Sequence, residues 1–186
     1  MPKHVPTTVL CLIAVACGGT APRVQGAATI EKVWLSDLDV TKTQQGWGEP
    51  HRNTSVDGNP MRIAGRQFEH GLGTHADSAL YLQLDGRGRK LTGWVGIDDE
   101  VGKQGSVEFK ILADGKDLYQ SGVLKGGDSA KQLDVDISGV KMLVLIVDSG
   151  PDGINYDHAD WADALLEVVT PRPDTVDGPR RSESVV

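Results

Sequence analysis

The chain has 186 residues and a formal net charge of −7. That length leaves room for one domain of ordinary size, and the excess of acid argues against a nucleic-acid footprint, which needs a basic face. Its two cysteines, Cys11 and Cys17, lie close to the N-terminus, so a domain beginning after them has no internal disulfide and no thiol nucleophile.

The N-terminus has the pattern of an export signal. Lys3 and His4 form a short polar head, and the run VLCLIAVA from Val9 to Ala16 has the length of a signal core, too short to span a bilayer. Two exits are open. Ala16-Cys17-Gly18 resembles a lipobox, which would make Cys17 a lipid anchor; cleavage after Val24-Gln25-Gly26 would release a soluble protein starting at Ala27. Residues 1–26 are therefore expected to be signal plus tether, and the protein secreted, periplasmic or lipid-anchored to the envelope. Membrane contact is expected only through Cys17.

From Ile30 the apolar spacing becomes that of strands. Leu80, Leu82 and Leu84 alternate with Tyr81 and Gln83; Val107, Phe109 and Ile111 alternate with Glu108 and Lys110; Leu133, Val135 and Ile137 alternate with Asp134 and Asp136. Period two with one polar face marks half-buried antiparallel strands. MLVLIV, Met142 to Val147, is apolar on both faces and predicts a central strand. Asp114-Gly115 between FKILA and KDLYQ predicts a tight hairpin. These signs predict an all-β antiparallel sandwich over 30–169. The segment from Thr170, TPRPDTVDGPRRSESVV, is rich in proline and charge and predicts a disordered tail over 170–186.

Candidate chemistry is diffuse. GxSxG and HExxH are absent, and Asp98 and Asp99, adjacent on a strand-like segment, would point to opposite faces rather than form an acid/base pair. The histidines of HGLGTH, His70 and His75, are five apart and would also diverge. No enzyme is expected. Calcium, which takes six to eight oxygens, is the better metal case: Asp37 and Asp39 follow the first strand, and Asp163 and Glu167 share a face of the strand opened by DHADWADA, with Ala162, Ala164 and Leu166 on the other. Among the tryptophans, Trp47 in QGWGEP has the setting of a loop, whereas Trp34, Trp94 and Trp161 have the setting of a core. An exposed indole can lie against a pyranose ring. Tyr156, Asp157 and His158 are candidates for the same end of the sandwich.

Several stretches together resemble the NPCBM family of carbohydrate-binding modules: GLGTHADSALYLQLDG (Gly71 to Gly86), VGIDDEVGKQGSVEFKILADGKDLYQSGVL (Val95 to Leu124), DGINYDHADWADALL (Asp152 to Leu166) and the opening WLSDLDVTKTQQGWGEPHRNTSVDG. The resemblance covers about Ile30 to Val169. It implies a galactose-binding-like jelly roll, a structural calcium ion and noncatalytic recognition of galactose-type or related glycans. Under it, Trp47 becomes the stacking platform, with His75, Asp98, Asp99, Asp157 and His158 as hydrogen-bonding candidates. The metal candidates become Asp37 and Asp163, with Asp39, Asp160 and Glu167 in reserve. A separate glycoside hydrolase or an envelope protein is the expected partner. The competing expectation is an extracytoplasmic assembly domain that has lost sugar binding.

Overall fold

A computed structural model of the chain describes residues 29–179; the export signal and the lipobox lie outside the described residues. The strands are β1 (Ile30–Trp34), β2 (Gln44–Gln45), β3 (His51–Arg52), β4 (Arg62–Ile63), β5 (Arg66–Gln67), β6 (Gly71–His75), β7 (Ser78–Gln83), β8 (Gly88–Ile97), β9 (Ser106–Ala113), β10 (Lys116–Lys125), β11 (Lys131–Asp136), β12 (Met142–Ser149), β13 (His158–Val169) and β14 (Asp174–Val176). Single turns of 3-10 helix occupy Leu35–Asp37, Val40–Lys42 and Asp99–Val101.

Two antiparallel six-stranded sheets face each other. One runs β11-β8-β13-β6-β3, with β1 also paired to β13; the other runs β10-β9-β12-β7-β14, with β2 also paired to β7. The alternation in the sequence explains the sandwich. Leu80, Leu82, Phe109, Ile111, Leu143 and Leu145 of one sheet, and Leu91, Val95, Leu133, Trp161 and Leu166 of the other, are almost wholly buried in one cluster. Trp161 is the largest of them and meets Phe109 edge to face at 5.1 Å, a geometry worth ~0.5–1.5 kcal/mol beyond its buried area. The apolar run at Met142 forms β12, central between β9 and β7. Asp114 and Gly115 both take positive φ, 50° and 80°, and close the β9–β10 hairpin, as a two-residue turn between twisted strands requires.

The β4–β5 hairpin covers the outer face of the first sheet. Met61, Ile63, Phe68 and Ala162 form a second buried cluster there, with Trp94 packed against it. Arg66 lies over both Phe68 and Trp94, at 4.6 and 4.2 Å. Trp94 is thus half-buried under a guanidinium rather than in the main core, and Trp34 is half-buried and stacked on His70 at 4.3 Å.

Two further expectations are corrected. Ala162 does not share a face with Ala164 and Leu166: it packs in the outer cluster while they enter the inner one. The cause is a bulge at Asp163 (φ 43°), where the β13–β8 register shifts between Ala162 and Leu165; one extra residue reverses the phase of the alternation. The tail from Thr170 is not wholly disordered either. It returns across the second sheet as β14, paired through Asp174, Thr175 and Val176 to Gln83, Leu82 and Tyr81. Burial of Thr175 and the ladder to β7 outweigh the polar composition of the segment. Arg172 helps by gripping Glu31 at 2.6 Å.

Candidate functional site

At the start of β13 the sandwich opens into a cleft of about 570 Å³ lined by Gly46, Trp47, His75, Ile154, Asn155, Tyr156 and His158. Its residues come from three places in the chain brought together by the sheets. His75 ends β6 and His158 begins β13, and the two are register partners. Trp47 follows β2, which pairs with β7 at Ala79 and Ser78. Its loop passes so close to the Ala76–Asp77 turn that a Cβ on Gly46 would stand 2.8 Å from the Ala76 carbonyl oxygen. Only glycine fits there, which fixes the placement of the indole that follows.

Three rings form the floor. Trp47 is 54 % exposed; its ring centroid lies 5.3 Å from that of His75 and 5.8 Å from that of His158, the latter nearly parallel at 22°. The imidazoles meet edge to face at 5.4 Å. Tyr156 and Ile154 stand at the rim, 50 % and 43 % exposed. The result is an open, amphipathic surface with one broad aromatic plane.

Each imidazole is anchored by Nδ1. His75 Nδ1 lies 2.6 Å from the carbonyl oxygen of Ala76, and His158 Nδ1 lies 2.6 Å from Glu100 Oε1. Burial lowers the pKa of His75 below the ordinary imidazole value, with the neighbouring His158 acting in the same direction, although its bond to Ala76 opposes the shift. Burial alone would raise the Glu100 carboxyl, but hydrogen bonds from Ser55 Oγ (2.5 Å), Asn59 Nδ2 (2.8 Å) and His158 bring it below its usual value. Glu100 is therefore an ionised, fully occupied acceptor.

Asp157 lies directly beneath, fully buried. Its Oδ1 accepts from the Ser106 amide at 2.9 Å, while Oδ2 has no partner. Burial raises its pKa to about 6, against the pull of the Ser106 bond and with further help from Asp152 and Asp77. It braces the loop under the cleft and does not line it. Asp98 and Asp99 also lie outside. The strand ends at Ile97, and both side chains reach the β4–β5 hairpin: Asp98 Oδ2 accepts from the Arg62 amide, and the two Asp99 oxygens accept from Ala64 and Gly65. Of the six sugar-binding candidates, Trp47, His75 and His158 converge in the cleft, whereas Asp98, Asp99 and Asp157 hold backbone amides.

The five metal candidates are dispersed. Asp39 caps the turn at Val40, accepting from Thr41 N and Oγ1; Asp163 accepts from the His70 amide; Glu167 faces Lys32 at 3.5 Å. Asp160 is fully buried beside Asp98, and burial together with the charge of Asp98 and the side-chain hydrogen bond to it raises its pKa well above the usual carboxylate range. Asp37 borders a hollow shared with Lys42 and Arg172. Among the described residues, the one set of three such side chains with donor atoms within 4.8 Å of one another is Asp57, Glu100 and His158. An imidazole is a poor calcium ligand, and the short contact from Glu100 to Nδ1 is accounted for by a hydrogen bond. A calcium shell built from the five predicted side chains is not assembled here.

Glu100, Ser55 and Asn59 carry no signal of their own in the sequence. Their part depends on contacts across 41 to 58 residues.

Comparison with known proteins places this geometry. The profile of the NPCBM/NEW2 domain matches residues 31–167. The chain is 34 % identical over 149 residues to Alpha-1,3-galactosidase B of Akkermansia muciniphila, covering 78 % of this chain and 18 % of that enzyme. The chain thus spans under a fifth of that relative. Among solved structures, the CBM51 of a Clostridium perfringens GH95 protein in complex with methyl-galactose superposes with a TM-score of 0.67 and 31 % identity, covering 73 % of this chain and 99 % of that one. The CBM51-2 of Clostridium perfringens ZmpB, solved with its INT domain in complex with GlcNAc, gives a TM-score of 0.69 and 33 % identity, covering 77 % and 33 %.

Proposed function

The chain belongs to the NPCBM/NEW2 domain family, and from that premise we propose that its described domain is a noncatalytic module that binds the terminal sugar of a glycan in the Trp47 cleft. The observation that carries the reading is the half-exposed Trp47 ring beside two inwardly anchored imidazoles. A pyranose laid on the indole covers its apolar C–H face, while hydroxyls at the ring edge reach the imidazoles. The polar groups are few and already oriented, so little ordering is needed on binding.

Galactose-type residues are the first ligands to try and N-acetylglucosamine the second, since related modules were solved with methyl-galactose and with GlcNAc. Export, with Cys17 lipidated or removed, belongs to the same proposal on the strength of the N-terminal sequence. Calcium is not assigned to this cleft: Asp39, Asp163 and Glu167 each meet a protein partner, and none of the five predicted ligands lines it. A separate glycan-cleaving enzyme fits as partner, as the Akkermansia relative carries its matching segment within a galactosidase.

A glycan array probed with the domain, followed by calorimetry on the hits, tests the proposal. Specific binding that is lost in folded Trp47→Ala supports it. Undiminished binding by that variant removes the cleft as the site.

A further inference from the structure

The cleft carries a choice of proton position that its sequence does not announce. A carbonyl oxygen and an ionised carboxylate can only accept hydrogen bonds. The contact of His75 Nδ1 with Ala76 O and that of His158 Nδ1 with Glu100 Oε1 therefore both require the proton on Nδ1. In a neutral imidazole this leaves Nε2 as a bare acceptor. Neither Nε2 has a protein hydrogen bond among the described residues, and neither is a buried orphan; both rings line the open cleft.

The support behind His75 is backbone, so no side chain can change it. That behind His158 is a side-chain relay. Ser55 Oγ and Asn59 Nδ2 both converge on Glu100 Oε2, so that oxygen is the acceptor of two donors and Oε1 is left for the imidazole. Ser55 is itself fully buried and its hydroxyl also receives the Asn59 amide at 3.1 Å, which sends its own proton to Glu100.

We propose that Glu100 is a positioning residue for glycan recognition: held by Ser55 and Asn59, it locks His158 in the Nδ1–H form, so that with His75 the cleft presents two acceptors matched to two hydroxyl donors of one sugar. This inference rests on the glycan-binding reading and adds a rule of selectivity to it. A ligand oxygen that cannot donate, such as an ether, or a fluorine in place of a hydroxyl, meets two lone pairs and is rejected. The charged and titratable groups facing these rings are Glu100, Asp57 and Asp157 around His158, and Asp57 and Asp77 around His75, with each imidazole facing the other. Protonation of either Nε2 turns an acceptor into a donor and works against binding.

Glu100→Gln separates position from charge. Its single carbonyl oxygen is claimed by the two donors at Ser55 and Asn59, so its amide N–H₂ faces His158 Nδ1 and drives the ring to the Nε2–H form. Nitrogen-15 spectra of the imidazoles in the domain, recorded at about pH 8, are expected to show Nδ1–H for both histidines in the wild type. In Glu100→Gln only His158 should change. Calorimetry with methyl-galactoside and its singly fluorinated derivatives is expected to show about tenfold weaker binding of the parent sugar by the variant, the scale of one lost hydrogen bond. The fluorine penalty seen in the wild type should shrink with it. Asn59→Ala, which removes one exposed donor from Glu100, should move both readouts in the same direction and less far. A wild-type His158 found as Nε2–H, or a variant that switches tautomer with unchanged affinity and unchanged fluorine penalty, overturns the proposal. The spectra decide the tautomer without any sugar. A wild type that binds no glycan therefore defeats the functional reading, and with it the selectivity rule, while the proton assignment is judged separately.

Discussion

The Trp47 cleft and the hollow around Asp37 and Arg172 hold polar groups of very different kinds, and the poorer one in charge is the better binding surface. In the hollow, Lys42 Nζ donates to the carbonyl of Thr175 and Arg172 grips Glu31, while Asp39 is spent on Thr41. Those charges fasten the returning C-terminal segment to β1 and to the turn at Val40. In the cleft no formal charge is needed. Each imidazole is committed on one side only, and an indole face is left open. Density of carboxylates marked the first region as a metal candidate; what distinguishes the second is that its groups are rigidly supported yet unfinished.

Replacing the indole should separate the two regions most sharply. Trp47→Ala is expected to weaken glycan binding by about a hundredfold, as removal of a hot-spot aromatic does, with the melting temperature changed by no more than a degree or two. A large loss of stability would instead class Trp47 with Trp161, whose truncation should cost ~3–5 kcal/mol as a core cavity.

Next in size is Asp157→Asn. The folded carboxyl keeps its proton up to about pH 6, whereas an unfolded aspartate releases it near ~3.9. Between those values the native state binds more protons, so this group's contribution to stability falls as pH rises through the window. Asparagine retains the acceptor for Ser106 and removes the charge. Thermal melts of the variant should therefore show a gain of a few degrees at about pH 8 and none at about pH 4; equal effects at both would show that the burial of Asp157 is relieved by water.

Smaller effects belong to the charged hollow. Arg172→Ala should lower the melting temperature slightly, through looser attachment of β14, and leave calorimetric affinity unaltered. Chelation should change neither melting temperature nor glycan affinity. A drop of several degrees with chelator, reversed by calcium, would restore the acidic loops as a metal site and erase the contrast between the two regions.

The sandwich could be read from local pattern because inward residues repeat every second position along β7, β9, β11 and β12, and the Asp114-Gly115 turn announces itself. Trp47 was legible for a similar reason: flanking glycines signal a close backbone approach, met here at Ala76. The bulge at Asp163 was not, because one inserted residue leaves composition unchanged while turning every later side chain over. Nor was Glu100, whose function is conferred by Ser55, Asn59 and His158 from distant parts of the chain. Asp98 and Asp99 were misplaced because a turn begins where alternation suggested continued strand. The segment at Asp174 was misread since proline and charge dominate it, and only Thr175 and the hydrogen-bonded ladder reveal its docking.

That docking has a mechanical consequence. β14 runs antiparallel to β7, and beyond it Pro179 accepts from Gln44, two residues before Gly46 of the cleft. The chain thus leaves the sandwich near the cleft, whereas Ile30 opens β1 opposite Val169, at the far end of β13 from His158. Tension between a held glycan and the N-terminal side would load the β1–β13 ladder, five residue pairs long, in shear, with its hydrogen bonds resisting together. Tension from the C-terminal side would instead peel β14 from β7 one bond at a time. A module attached through its N-terminal side would keep its grip under forces that would strip the same fold attached through the other.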